Sequence, residues 1–224
     1  MNSRDLILSK VRSSMIPFPG AELPTLPPVE EFRDLDSGML KKIFQESLTA
    51  LTGKCLFARD TKEASEILMK LASENGWERF SSARHPLLSE LFPRDFFHGK
   101  GKKRLYLGEP EGETDKARLA DIPVSIVFPE YFIAETGTCA VLNQTAHERM
   151  NCYLTPACVL VGKVSQLHER LQEVWDGIMK NSENPAMRGE YVLVTGPSRT
   201  ADIERVSVLG VHGPKNVYVI LIQD

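Results

Sequence analysis

The chain reads as an α/β fold in which a mainly parallel sheet is sandwiched between helices. Five apolar runs of four to six residues carry no polar alternation: PVSIVF (123–128), CAVL (139–142), CVLV (158–161), YVLV (191–194) and VYVILI (217–222). Runs of that kind are typical of strands covered on both faces. Segments with helical periodicity alternate with such runs, which favours a parallel sheet over a sandwich. At 224 residues, 42% hydrophobic and 25% charged, the chain suits one core of ordinary size.

Taken in order, residues 3–14 form a short amphipathic segment with helical character. PFPGAELPTLPP (17–28) follows and holds five of the fourteen prolines, which removes backbone donors and favours an extended tether. This divides the chain into an arm, 1–30, and one α/β domain, 31–224. From Asp36 to Leu51, the residues Leu40, Ile43, Phe44, Leu48 and Leu51 fall on one helical stripe, and KCLFA then reads as a buried strand. A second helix starts with Asp60 as cap and Glu63 completing a capping box. Its apolar face is Ala64, Ile67, Leu68, Leu71 and Ala72, and Gly76 ends it. Between the runs at 158 and 191, Val164, Leu167, Leu171, Val174 and Ile178 have the spacing of a further helix.

Charge and cysteine usage exclude several classes of function. A net charge of −3 and a pI near 6.0 supply no basic field to gather nucleic acid or an anionic membrane. The one basic cluster, HGKGKKRLY (98–106), reads as a solvated loop. The amino terminus lacks the continuous apolar centre of a signal peptide. No apolar run approaches the ~20 residues that cross a bilayer, so a cytoplasmic protein without a membrane segment is expected. Cys55, Cys139, Cys152 and Cys158 form no CxxC pair, which predicts buried thiols, with no metal, iron-sulfur cluster or disulfide framework. No GxGxxG follows a strand, so NAD is not expected, and no cofactor is assigned.

In parallel α/β sheets ligands gather beyond the carboxyl ends of strands, which directs attention to two stretches. In AETGTCAVLN, Glu135, Thr136, Gly137 and Thr138 offer a carboxylate, two hydroxyls and a glycine that permits close backbone approach, a set able to hold a carboxylate or phosphate. A plain turn whose threonines bond their own backbone is the other reading. In SRTADIERVSVLGVHGP (198–214), Ser198, Asp202 and His212 are the residue types of a catalytic triad. However, GPSRT is not the G-x-S-x-G elbow. Ser198 or Thr200 instead suits the cap of a helix starting near Ala201, with Asp202 and Glu204 in its first turn. Arg199 beside that helix end could clamp an anion. His212 and Gly213 sit in a bend before the last strand.

AETGT, followed some sixty residues later by GPSRTADIE and then LGVHGP, resembles the lactate-utilisation (LUD) domain family, most strongly from residue 123 to 224. The resemblance implies a three-layer α/β/α fold related to the sugar-phosphate isomerase and coenzyme A transferase superfamily. It also implies a part in cytoplasmic, iron-sulfur-dependent oxidation of lactate to pyruvate. Partner subunits would hold the iron-sulfur clusters, with this chain the member lacking one. The leading reading is thus an accessory or substrate-handling subunit that binds a small carboxylate among Glu135, Thr136, Gly137, Thr138, Ser198, Arg199, Thr200, Asp202, His212 and Gly213. Two alternatives stand beside it: a free-standing transferase or isomerase acting on a small carboxylate or acyl-CoA with Glu135 as nucleophile or base, and a scaffold whose motifs stabilise turns. Cys139, directly after ETGT, is where a plain aliphatic residue would be expected.

Overall fold

A computed structural model of the chain describes residues 3–14, 35–92, 104–107, 116–183, 189–201, 207–210 and 212–224; the proline-rich stretch at 17–28 lies outside them. Helix α1 (Ser3–Ser14) belongs to a first unit, Met1–Phe32, and buries no residue. The second unit, Arg33–Asp224, begins with α2 (Ser37–Ala50), β1 (Lys54–Ala58), α3 (Thr61–Glu74), β2 (Arg79–Ser82), α4 (Pro86–Leu91), β3 (Arg104–Tyr106) and α5 (Lys116–Ala120). It continues with β4 (Val124–Val127), β5 (Tyr131–Ile133), β6 (Thr138–Asn143), α6 (Ala146–Asn151), β7 (Ala157–Lys163), a 3-10 turn (Val164–Gln166) and β8 (Leu167–His168). The last elements are α7 (Leu171–Glu183), β9 (Glu190–Val194), β10 (Arg199–Ala201), β11 (Ser207–Leu209) and β12 (Asn216–Ile222).

The main sheet has six strands in the order β1-β12-β7-β4-β2-β3, and every pairing in it is parallel. Side chains of β12 alternate between its faces. Tyr218, Ile220 and Ile222 join Leu68, Phe80, Ile126 and Val159 under α3 and α4, while Val217, Val219 and Leu221 join Phe44, Leu48, Phe132 and Cys139 on the other side. A strand buried on both faces is necessarily a continuous apolar run, which is why these segments lack polar alternation.

The second face of the main sheet is covered by α2 together with a four-stranded sheet, β8-β5-β6-β9. The outer face of that sheet receives α7, with Ile133, Val174 and Ile178 between them. Two of the apolar runs, CAVL and YVLV, therefore lie not in the parallel sheet but antiparallel to each other in the smaller one. β9 is one-sided, with Val192 inward and Leu193 48% exposed, and an apolar run alone does not distinguish the two situations.

Local signals explain the helix starts. The Asp36 side chain accepts from the Met39 amide at 2.8 Å and the Asp60 side chain from the Glu63 amide at 2.8 Å, satisfying N–H groups that no helical carbonyl can reach. Glu63 turns back to accept from the Arg59 amide at 2.7 Å, one residue before the cap. Gly76, at φ +65°, closes α3.

Three further expectations change. The periodic stretch from Val164 becomes a helix only at Leu171, after the 3-10 turn and β8. HGKGKKRLY ends in an edge strand, β3, instead of remaining loop throughout; residues 98–103 lie outside the described set. No helix begins near Ala201: β10 pairs antiparallel with β11, Arg199 opposite Leu209. The hydroxyl and acidic residues there suit a helix start, but RVSVLGV beyond them is β-branched and favours a strand, and Gly210 at φ +78° closes the far side.

Candidate functional site

The two motifs meet at the amino edge of the parallel sheet, around the end of α2. Leu48 O accepts from the amides of Leu51 and Gly53, and Thr52 takes φ +67°, a conformation unfavourable for a β-branched residue. The ETGT turn rests on this helix end. A Cβ on Gly137 would lie 2.6 Å from Leu48 N, and Gly137 has φ +62°, so both space and backbone require glycine. Ser47 Oγ donates to Glu135 O at 3.1 Å. The loop after β9 uses the same support, since a Cβ on Gly196 would come 2.9 Å from Leu51 Cβ.

A chain of hydroxyls joins the motifs. Thr136 Oγ1 and Thr138 Oγ1 are 2.7 Å apart, and Thr138 Oγ1 and Thr195 Oγ1 are 2.8 Å apart. Ser198 is tied into the same edge by its amide, which donates to Pro214 O at 2.9 Å, and by its carbonyl, which accepts from the Gly210 amide at 2.9 Å. A Cβ on Gly213 would stand 3.0 Å from Ser198 Cβ. Gly213 and the exposed His212 line an open groove with Tyr153, Pro156 and Lys215.

Among the described residues, Arg199 and Arg170 bring positive charge to this edge together with Lys215 in the groove. Arg199 is exposed and donates through Nη2 to Thr52 Oγ1 at 3.3 Å. Arg170 is buried, with Nε 3.7 Å from Glu169 Oε1 and 3.9 Å from Glu135 Oε1. Glu135 keeps an exposed carboxylate while its amide donates to Glu169 O. Of the sequence-derived set, Glu135, Thr136, Gly137, Thr138, Ser198, Arg199, His212 and Gly213 are thus gathered along one edge. Thr200 is placed there by its backbone in β10 alone, and Asp202 lies outside the described residues.

Cys139 lies in the core with Cys55, Cys152 and Cys158. Burial pushes the Cys55 and Cys158 thiols up to about 12 and raises Cys139 and Cys152 as well. A protonated buried thiol is a weak nucleophile and a poor metal ligand. Among the described residues, no three His, Cys, Asp or Glu side chains are grouped to hold a metal ion. No helix among them is long and apolar enough to cross a membrane.

A different set of residues occupies the carboxyl edge, at the far end of β6 from the ETGT turn. A cavity of about 240 Å³ opens there, beyond the ends of β2 and β4, against the end of β6 and α6. It lies where parallel sheets ordinarily receive ligands. Asn143 and Asn151 line it at 4% and 1% exposure, and neither Nδ2 has a partner among the described residues. Asn151 is held by its Oδ1, which accepts from Ser81 Oγ at 2.6 Å, and by its carbonyl, which accepts from Ser125 Oγ at 2.6 Å. His147 Nε2 lies 3.0 Å from Ser82 O, and a carbonyl only accepts, so this nitrogen carries the proton. The sequence signal for this region is polar residues inside apolar runs: Ser125 in PVSIVF and Asn143 ending CAVLN.

The sequence profile of the LUD domain matches residues 41–222. Lactate utilization protein C of Halalkalibacterium halodurans is 25% identical over 204 residues, covering 88% of this chain and 85% of that protein. The Bacillus subtilis protein of the same name is 30% identical over 115 residues, covering 51% of this chain and 48% of its own length. Among solved structures, a DUF162 family protein from Deinococcus radiodurans shares the fold, with TM-score 0.60 at 15% identity, over 84% of this chain and 99% of that one.

Proposed function

Because the chain belongs to the LUD domain family, we propose that it serves lactate utilisation in the cytoplasm as a subunit that binds a small carboxylate and works with partners carrying iron-sulfur clusters. Similarity to proteins named lactate utilization protein C over most of the chain supports the biological setting. The observation that carries the site is the exposed Arg199 guanidinium at the amino edge, next to Ser198 and near the groove lined by His212, Gly213 and Lys215. The threonine hydroxyls bond one another, so charge-assisted contact with an anion falls to Arg199 and to Lys215 in the groove, of which Arg199 offers the bidentate fork. The redox step then belongs to the partners, and this subunit delivers or retains the acid.

A strain lacking the gene should fail to grow on lactate as carbon source and recover with the wild-type gene. The tagged protein should bring down cysteine-rich iron-sulfur proteins from lactate-grown cells. Normal growth of the deletion strain on lactate would refute the setting, and isolation of the protein alone would refute the subunit role.

A second reading rests on Glu135, whose carboxylate is 53% exposed beside buried Arg170: a transferase or isomerase using it as nucleophile or base. Acyl transfer or isomerisation by the isolated chain, abolished in Glu135→Gln, would favour that reading.

A further inference from the structure

We propose that two copies of this chain pair by exchanging α1, each copy laying its face of Ile7, Leu8 and Val11 on the face of Trp175 and Met179 on the other copy's α7. This goes beyond the proposed function and does not depend on it, because neither helix contributes a residue to the Arg199 edge.

The first half of the contact is a short helix with an open apolar face. α1 has 12 residues and buries none of them, with Ile7 60% and Val11 52% exposed. An isolated helix of that length is marginal in water, because its few hydrogen bonds hardly offset the cost of nucleation, and packing of an apolar face supplies what is missing. In SRDLILSKVRSS, helical spacing puts Ile7, Leu8 and Val11 on one side, with Arg4 among them and Lys10 and Arg12 along its two borders. These cations outnumber Asp5, so the helix is positive in a chain of net charge −3.

α7 offers the complement. Val174 and Ile178 turn inward against Ile133, while Trp175 at 51% and Met179 at 43% stay exposed one turn apart. Asp176 and Glu183, both exposed, border that pair on the solvent side, and with Glu173 they outnumber Lys180. Other exposed apolar side chains stand in different company. Met39 lies one turn from Lys42 on α2, Tyr153 and Leu154 line the groove with Lys215, and Leu193 shares its face of β9 with Tyr191. Apolar burial drives the contact, since exposed ion pairs contribute little. The charges select the partner, because α1 against α1, or α7 against α7, would bring like charges together. Both faces stay exposed within one chain, and residues 15–36, which carry the proline-rich stretch, can span on the order of 60 Å when extended. A second copy is therefore within reach. Specific interfaces need roughly 1,000 Å², and exchange in both directions doubles the contact while closing it with two-fold symmetry.

Sedimentation equilibrium of the full chain should show a dimer, and Val11→Asp and Trp175→Asp should each raise its dissociation constant about tenfold or more. Both positions are exposed, so circular dichroism should show both variants folded. Trp175 supplies its own signal, because Trp77, the other tryptophan, is buried. Its emission should shift to the blue as wild-type concentration rises, and not in Val11→Asp. Cross-linking reads which helices meet. A tagged Val11→Cys chain mixed with an untagged Met179→Cys chain should give a mixed dimer with a short bis-maleimide, the native thiols being buried. A monomer at every concentration would overturn the proposal, as would a dimer that Val11→Asp leaves as tight as wild type. So would cross-linking confined to single chains that carry both introduced cysteines. Should Trp175→Asp not fold, Val11→Asp and the mixed cross-link decide.

Discussion

The hydroxyls of Thr138 and Thr195 lie 2.8 Å apart, linking residues 57 positions apart in the chain. This contact fastens the start of β6 to the loop after β9, and so holds the ETGT turn beside Ser198 and Arg199. Thr138 is 6% exposed and also meets Thr136 at 2.7 Å. Thr138→Val keeps the shape and removes both contacts. It should lower unfolding free energy by about 1–3 kcal/mol in urea titrations, and a variant as stable as wild type would show that the hydroxyl chain contributes nothing.

Gly137 makes a separate demand on the same turn. With φ +62° and its would-be Cβ 2.6 Å from Leu48 N, Gly137→Ala meets both strain and a backbone clash. The expected loss exceeds about 1 kcal/mol, read as a lowered thermal midpoint. Gly76→Ala, with φ +65° but nothing within 4 Å of its Cβ, should cost less, because only the backbone term applies. Equal losses would contradict the close approach of the turn to α2.

The cysteines predict how stability varies at high pH. Burial raises Cys55 and Cys158 from 9.0 to about 12, so in the folded state they bind protons that the unfolded chain releases above pH 9. Their contribution is fully present below pH 9 and is lost as pH rises from 9 toward 12. Cys55→Ala should flatten that alkaline decline, measured as urea midpoints at successive pH values. Unchanged steepness would mean that other groups govern it. At pH 8 an aromatic disulfide reagent should label the native protein slowly and all four thiols rapidly after unfolding.

Much of the architecture was legible because local and global signals agree. Asp36 and Asp60 cap helices whose apolar stripes, Phe44 with Leu48 and Leu68 with Leu71, face the core. The runs at 124, 158 and 217 are continuous because both faces of the sheet are covered. Legibility failed where one pattern serves two structures. YVLV forms the edge strand β9, buried on one side only, and the helix-start residues of SRTAD include β10 (Arg199–Ala201), a strand whose partner lies after residue 206. The amino-edge grouping was partly legible, since ETGT and GPSRT each hold a glycine with positive φ. Their junction through Thr138 and Thr195 is tertiary and leaves no local trace. The carboxyl-edge cavity escaped notice because single polar residues, Ser125 and Asn143, sit inside runs whose apolar character dominates.

Calorimetric titration of lactate and pyruvate into the wild type, Arg199→Ala and Ser198→Ala, with and without the proposed iron-sulfur partners, tests the proposed carboxylate clamp most directly. Removing the guanidinium should cost a charge-assisted contact of roughly 1.5–3 kcal/mol and weaken binding about tenfold or more. Folding should be unaffected, because Arg199 is exposed and its one described side-chain bond is to Thr52 at 3.3 Å. Ser198→Ala should change affinity far less. Binding by Arg199→Ala as tight as wild type, together with a measured turnover abolished in Ser198→Ala, would contradict the clamp and identify the serine as a nucleophile.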